Sequence, residues 1–287
     1  MTKKTAPAAA ALCAALLALS CSSRPAARGE TDDLRRQAEA QLALGNRQAD
    51  RGSPQTALFF MDEAMRLAVL ADDSGLRIRA GLSRANALSS KGLQAEAALE
   101  REKALAEALF AGDAELAALA RVHAARARLL SGGGPEAARA VLEEVSRERA
   151  FLRDGLFEAF AWTVTALAEA ELGGYARAEA AARQSLAIHE RARRTELAAF
   201  DWFMTASFRS RAGDFDGARL ALETSIGLDR RAENSWGLAS SWRAMGDVES
   251  RAGNTEAARA AYLRAAGIFR ALGNEAAAQD ALSRAGL

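Results

Sequence analysis

Six glycines set the frame of this chain: Gly52, Gly92, Gly133, Gly173, Gly213 and Gly253 follow one another at steps of 40, 41, 40, 40 and 40 residues. Five residues after each stands an alanine, at Ala57, Ala97, Ala138, Ala178, Ala218 and Ala258. Twelve residues after each comes another small or modest side chain: Ala64, Ala104, Val145, Ser185, Ser225 or Ala265. A period held over most of the chain implies one supersecondary unit stacked on copies of itself, each covering its neighbour's apolar face. Composition says what the unit is made of. Of the 287 residues 73 are alanine, valine and isoleucine together number ten, and proline only four. Alanine has the best helix propensity and the residues that strands prefer are scarce, so the units are helical. This excludes an all-β chain and argues against a parallel-sheet α/β domain.

Each unit reads as two helices. One runs up to the glycine, as from Phe157 to Leu172, and the second begins just after it, as from Tyr175. Pro54 and Pro135, the only prolines within the repeats, fall at the first position of a second helix, where a missing N–H costs nothing. Between units, Asp73-Ser74, Gly112-Asp113, Asp154-Gly155, Thr195, Asn234-Ser235 and Gly273-Asn274 mark breaks, several with N-cap oxygens for the next helix. The period glycine is expected in the left-handed conformation that closes the first helix. Repeat 3 carries one extra residue, placed among Gly132-Gly133-Gly134 because that keeps Ala125 rather than Arg126 at the tight helix contact.

The last unit resembles the tetratricopeptide repeat. Trp242, Gly246, Gly253, Ala258, Tyr262 and Ala265 stand at the spacing of that motif's tryptophan, small residue, glycine, alanine, aromatic and alanine. The fifth unit is similar at Trp202, Ala206, Gly213, Ala218 and Ser225, and the first at Gly45, Gly52, Ala57 and Ala64. The usual repeat has about 34 residues, so these look like a long-helix variety. The resemblance implies an all-α fold: a right-handed α-solenoid of six helix-pair repeats over 31–287, the first helices lining a concave groove. The segment Glu275 to Ala285 is expected to cap the array.

The first twenty residues read as an address. Lys3 and Lys4 precede an uncharged apolar run from Ala8 to Leu19, too short for an ordinary membrane span and the right length for a secretory signal. The run ends at Ala18-Leu19-Ser20-Cys21, which resembles the lipobox of bacterial lipoproteins, whose cysteine is acylated and becomes the new N-terminus. Ala18 departs from the leucine usual three places before that cysteine, and Ala18-x-Ser20 also suits cleavage of an unlipidated signal peptide. The other cysteine, Cys13, lies inside the apolar run, so no disulfide is available to a mature chain. This divides the chain into a signal at 1–20, a tether at 21–30 and the repeat domain. In proteobacterial lipoproteins a residue other than Asp after the cysteine implies outer-membrane sorting; Ser22 fits an outer-membrane lipoprotein facing the periplasm.

Chemistry is sparse. Lysine plus arginine (38) balance aspartate plus glutamate (37), which leaves no global field for nucleic acid. There is no HExxH, no paired CxxC and no phosphate-binding GxxxxGK[ST] loop. No catalytic residues, metal or cofactor are expected, and the chain reads as not an enzyme. Function then falls to the groove. The resemblance places ligand contacts on the first helices, and matching positions here are Asn46, Arg79, Asn86, His123, Arg126, Thr163, Phe203 and Arg243. In relatives that bind extended peptides, asparagine at the places of Asn46 and Asn86 pairs with the ligand backbone. Further places give Phe160 and Phe200, which could equally be inter-repeat core. The resulting expectation is a membrane-anchored scaffold that docks a protein or peptide partner. The alternative is a small-molecule or peptide receptor using a closed groove.

Overall fold

A computed structural model describes residues 28–287, which form thirteen α-helices. The signal, Cys21, Ser22 and the tether up to residue 27 lie outside the described residues. Six antiparallel hairpins follow one another. The first helices are α1 (Arg28–Asp50), α3 (Ser74–Ser90), α5 (Ala114–Leu130), α7 (Gly155–Glu171), α9 (Thr195–Ala212) and α11 (Ser235–Arg251). Their partners are α2 (Pro54–Leu70), α4 (Gln94–Phe110), α6 (Gly134–Arg149), α8 (Tyr175–Arg191), α10 (Phe215–Arg231) and α12 (Thr255–Ala271). The short α13 (Glu275–Arg284) closes the array, burying Ala278 and Ala281 against Ala265 and Phe269. The chain is an all-α, tetratricopeptide-like solenoid of paired helices. Residues 28 to 30, assigned to the tether on composition, already belong to α1, which starts 24 residues before its glycine where α3 starts 18 before Gly92. No described helix is long and apolar enough to cross a membrane.

The core is a string of small clusters, each built by consecutive helices. Its registering residues are the period alanines: Ala57, Ala97, Ala138, Ala178 and Ala218 are fully buried. Helices approach closely only where the contact side chains are small, which is why alanine recurs there. Larger residues such as Met61, Ile78, Leu82, Leu222 and Phe269 fill the spaces between. Asp73, Asp113, Asp154, Asn234 and Asn274 cap their helices, each side chain accepting a backbone N–H of the first turn.

Repeat 3 differs in detail from the spacing expected. Gly132, not Gly133, takes the left-handed φ (87°) that closes α5, and Gly134 takes a second one (65°) before Pro135. Ala125 and Ala138 are both fully buried, so the extra residue is absorbed inside the glycine run and both helix faces keep their register. The inter-repeat turns also demand a left-handed residue. Gly112 and Gly273 supply it cheaply, whereas Asp72, Arg193 and Glu233 hold φ of 50–54° at equivalent places. A side chain in that region costs about 1–2 kcal/mol. Glu233→Gly, at an exposed position, is therefore expected to raise stability by about 1 kcal/mol in a urea melt.

The solenoid curls far enough to touch itself. In the turn after α1, the Arg51 guanidinium donates from Nη2 to Glu196 Oε1 (2.8 Å) at the start of α9 and to the Ala232 carbonyl (3.3 Å) before α11. Beside it the indole of Trp236 lies directly on Gly52: a Cβ built there would meet the ring at 2.4 Å. Partners 145 to 181 residues apart in sequence thus join the first repeat to the fourth-to-fifth and fifth-to-sixth junctions.

Candidate functional site: an enclosed concave groove

Self-contact turns an open concave face into an enclosed one. The first helices α3, α5 and α7 contribute Asn86, His123 and Phe160 to a continuous wall. The His123 ring stacks on Phe160 (centroids 4.3 Å apart, planes at 27°), and its Nδ1 lies 3.4 Å from Asn86 Oδ1. Arg126 follows His123 by one turn, and Arg101 reaches the same wall from α4, donating from Nη1 to Ser89 Oγ at 3.3 Å. Neither arginine makes an ion pair with any described residue, whereas Arg77, Arg84 and Arg121 nearby in the array all do. Burial holds both guanidiniums below their ordinary range, and the charge of Arg101 lowers Arg126 further. The same burial, with Arg126 and Arg101 adding to it, pushes His123 down to about 3, so its imidazole is neutral at pH 7. The groove therefore carries two uncompensated positive charges beside an amide and a neutral ring.

On the opposite side Asp50, one turn beyond Asn46 on α1, remains open to solvent yet is ringed by protein. Burial raises its carboxyl to about 6; the charge of Glu196 adds to this and His189 opposes it. Those two neighbours come from α9 and α8, which places the far wall of the groove against the end of α1. Phe200 and Phe203 stack 6.2 Å apart on α9, Phe200 exposed and Phe203 packed against the cluster around Leu222.

Asn86, His123 and Arg126 come together with Phe160, and Asn46 is exposed on α1. Arg79 faces Glu39 of α1 at 3.7 Å. Arg243 is held by Asp280 of the capping helix at 3.4 Å, over the Phe269 ring, and so contributes to the cap. Thr163 does not present its hydroxyl to a ligand: it is buried, donates to the Ala159 carbonyl and lies 3.2 Å from Ser185 Oγ. Arg101 was invisible to a reading confined to first helices, because it projects from a second helix. Asp50 stands at a groove place of the repeat, but nothing local marks it as enclosed.

Ser185 leads into the one cluster that by residue type suggests hydrolysis. His189 Nδ1 lies 2.6 Å from Asp201 Oδ2 and 3.4 Å from Ser185 Oγ. A Ser-His-Asp relay needs the two imidazole nitrogens to serve the two partners separately. Here both partners face Nδ1, and Ser185 and Asp201 are wholly buried. Burial pushes the Asp201 carboxyl up while its bond to His189 opposes that shift, and Asp201 Oδ1 has no hydrogen-bond partner. The cluster cross-links α8 to α9 and has no access to substrate. Among the described residues no three histidines, cysteines or carboxylates are grouped to hold a metal.

No protein-family profile matches the chain, and no curated protein does. Among solved structures it is similar to a signal transduction ATPase with numerous domains from Pyrococcus horikoshii, a protein with a tetratricopeptide repeat sensor. The two share 13% identity at a TM-score of 0.50, over 87% of this chain and 41% of that one. The likeness is one of fold, and the chain spans about two fifths of that protein's length.

Proposed function

We propose that this chain is a protein-interaction scaffold of the bacterial cell envelope, anchored through an acylated Cys21 and docking an extended partner segment in its groove. The observation that carries the reading is the unpaired charge of Arg101 and Arg126 beside Asn86. Poorly solvated charges without counter-ions cost free energy that an incoming carboxylate recovers. The partner is accordingly a peptide segment bearing an acidic group, its main chain met by Asn46 and Asn86. The lipobox-like Ala18-Leu19-Ser20-Cys21 supports the anchor and, with Ser22, an outer-membrane position facing the periplasm.

Binding of fluorescent acidic and neutral peptides, followed by anisotropy, tests the groove. Acidic peptides should bind and weaken with added salt. The double variant Arg101→Ala/Arg126→Ala should lose about 30-fold or more in affinity while its circular dichroism melt stays near that of wild type. Unchanged affinity would move the site out of the groove. Cys21→Ser should release the chain from the membrane fraction, and persistent association would remove the anchor.

A second reading is favoured by the closing contact at Arg51 and Trp236. An enclosed groove suits a receptor for one small molecule or peptide. A ligand carried into native mass spectrometry would select it over the scaffold.

A further inference from the structure

The repeat register exposes a contrast between the two halves of the molecule. Leu70 ends α2, Phe110 ends α4 and Phe151 follows α6, at equivalent positions 40 and 41 residues apart. They are 55%, 95% and 52% exposed. In the next two repeats the same position holds Arg191 and Arg231. Single apolar side chains scattered on a surface need no explanation, but three at one repeat position, two of them phenylalanine, do.

All three lie on the edge of the array where first helices begin and second helices end. Arg35 of α1 pairs with Asp73, just past Leu70, at 3.2 Å. Arg77 at the start of α3 pairs with Glu107, three residues before Phe110. Glu115 at the start of α5 accepts the backbone N–H groups of Arg153 and Asp154, just past Phe151, at 2.6 Å. The chain therefore enters the fold at Arg28 on this same edge. The apolar run Ala8–Leu19 and Cys21 precede that point, and the seven residues from Cys21 to Arg28 span at most about 25 Å. Further along, the same edge is turned onto the first repeat's own turn through Glu196 and Trp236, and there the exposed positions become arginine.

We propose that the edge formed by repeats 1 to 3 rests on a zwitterionic phospholipid surface, with Leu70, Phe110 and Phe151 entering the boundary between headgroups and acyl chains. The inference deepens the membrane-anchor reading above and rests on it. Apolar contact drives the association, because Asp72, Asp113 and Asp154 along this edge outweigh any attraction of Arg149 and Arg153 for anionic lipid. The glycine turns at the opposite edge other than that of Gly52, and the groove between the two edges, are left to the aqueous compartment.

Hydroxyl-radical footprinting of the full chain on phosphatidylethanolamine–phosphatidylcholine vesicles tests this with native side chains. Phe59, 69% exposed and eleven residues up α2 from Leu70, is the internal reference. On vesicles, oxidation of Phe110 and Phe151 should fall at least about fivefold relative to Phe59, in low and high salt alike. The same mass spectra report whether Cys21 is acylated. If acylated, vesicle-bound protein oxidises at Phe110 and Phe151 as freely as at Phe59, the edge proposal fails and the anchor stands. If Cys21 carries no acyl chain, the anchor fails, and protection of Phe110 by added vesicles still decides the edge. Protection seen only with a co-purified protein, and never on pure vesicles, overturns the lipid assignment.

Discussion

Gly52→Ala should destabilise this protein far more than Gly92→Ala, although the two glycines hold the same place in the repeat and nearly the same backbone angle. Their φ values are 72° and 81°, so alanine brings the left-handed penalty of about 1–2 kcal/mol to either site. Around Gly92 a new Cβ meets nothing within 4 Å, and the loss should stop there. At Gly52 the Cβ would stand 2.4 and 2.7 Å from the two fused carbons of the Trp236 indole, a rigid group with no flexible end to move aside. The alternatives are overpacking, worth about a further 1–3 kcal/mol, or separation of the first repeat from the Ala232–Trp236 junction. Separation would also strip Glu196 of Arg51 and leave it beside the carboxyl of Asp229. Chemical melts should therefore show a loss of about 3 kcal/mol or more for Gly52→Ala, against roughly 1 for Gly92→Ala. Small-angle scattering should show a larger radius of gyration for the former alone. Equal losses, with unchanged scattering from both variants, would mean that the curl is not held by this contact.

That contact also marks where reading from sequence ends. The period of glycines and alanines gives the helix pairs, their order and the cap, because each follows from local turn chemistry and from side-chain size at a contact between neighbours. How far the array curls depends on small rotations summed over four repeats, and no single residue encodes that sum. Arg51 and Trp236 look like an ordinary turn cation and an ordinary packing indole until the curl brings them together. The groove was legible to the same degree. Asn86, His123 and Arg126 meet because one repeat place is copied at fixed spacing on adjacent helices. Thr163 occupies a matching place, yet Ser185 on the facing second helix offers a buried partner and draws its hydroxyl inward. The unpaired charge of Arg126 depends on what its neighbours lack, and that is visible only once every nearby carboxylate has been placed.

Asp229→Asn should stabilise the protein in alkaline solution and leave it nearly unchanged in acid. Asp229 is almost wholly buried at the end of α10, where it accepts the side-chain amide of Asn234 at 2.8 Å. Burial raises its carboxyl to about 7, with Glu196 adding to the shift and the Asn234 bond opposing it. In the unfolded chain the same group titrates near 3.8. Between those values the folded protein holds a proton that the unfolded chain has released, so stability falls as pH rises through the window of about 4 to 7. Above it the folded state bears the full cost of a buried, poorly compensated carboxylate. Asp50, raised to about 6 beside the same Glu196, acts in the same direction, but its contact with solvent screens the effect to below about 1 kcal/mol. His123 acts in the opposite direction: kept neutral down to about pH 3, it costs stability as pH drops below 6.5, the range in which an unfolded histidine gains charge. The wild-type curve is therefore a partial cancellation, and the informative quantity is the difference between variant and wild type. Asparagine keeps the oxygen that receives the Asn234 amide and removes the charge. At pH 8 Asp229→Asn should gain about 2 kcal/mol, and at pH 4 almost nothing. The same substitution at Asp50 should give a smaller gain that grows between about pH 4 and 6 and is level above it, and none in a Gly52→Ala background where the curl has opened. A gain at Asp229 that is equal at pH 4 and pH 8 would show that the carboxyl is not the titrating group. A gain at Asp50 that survives Gly52→Ala would separate its shift from closure of the groove.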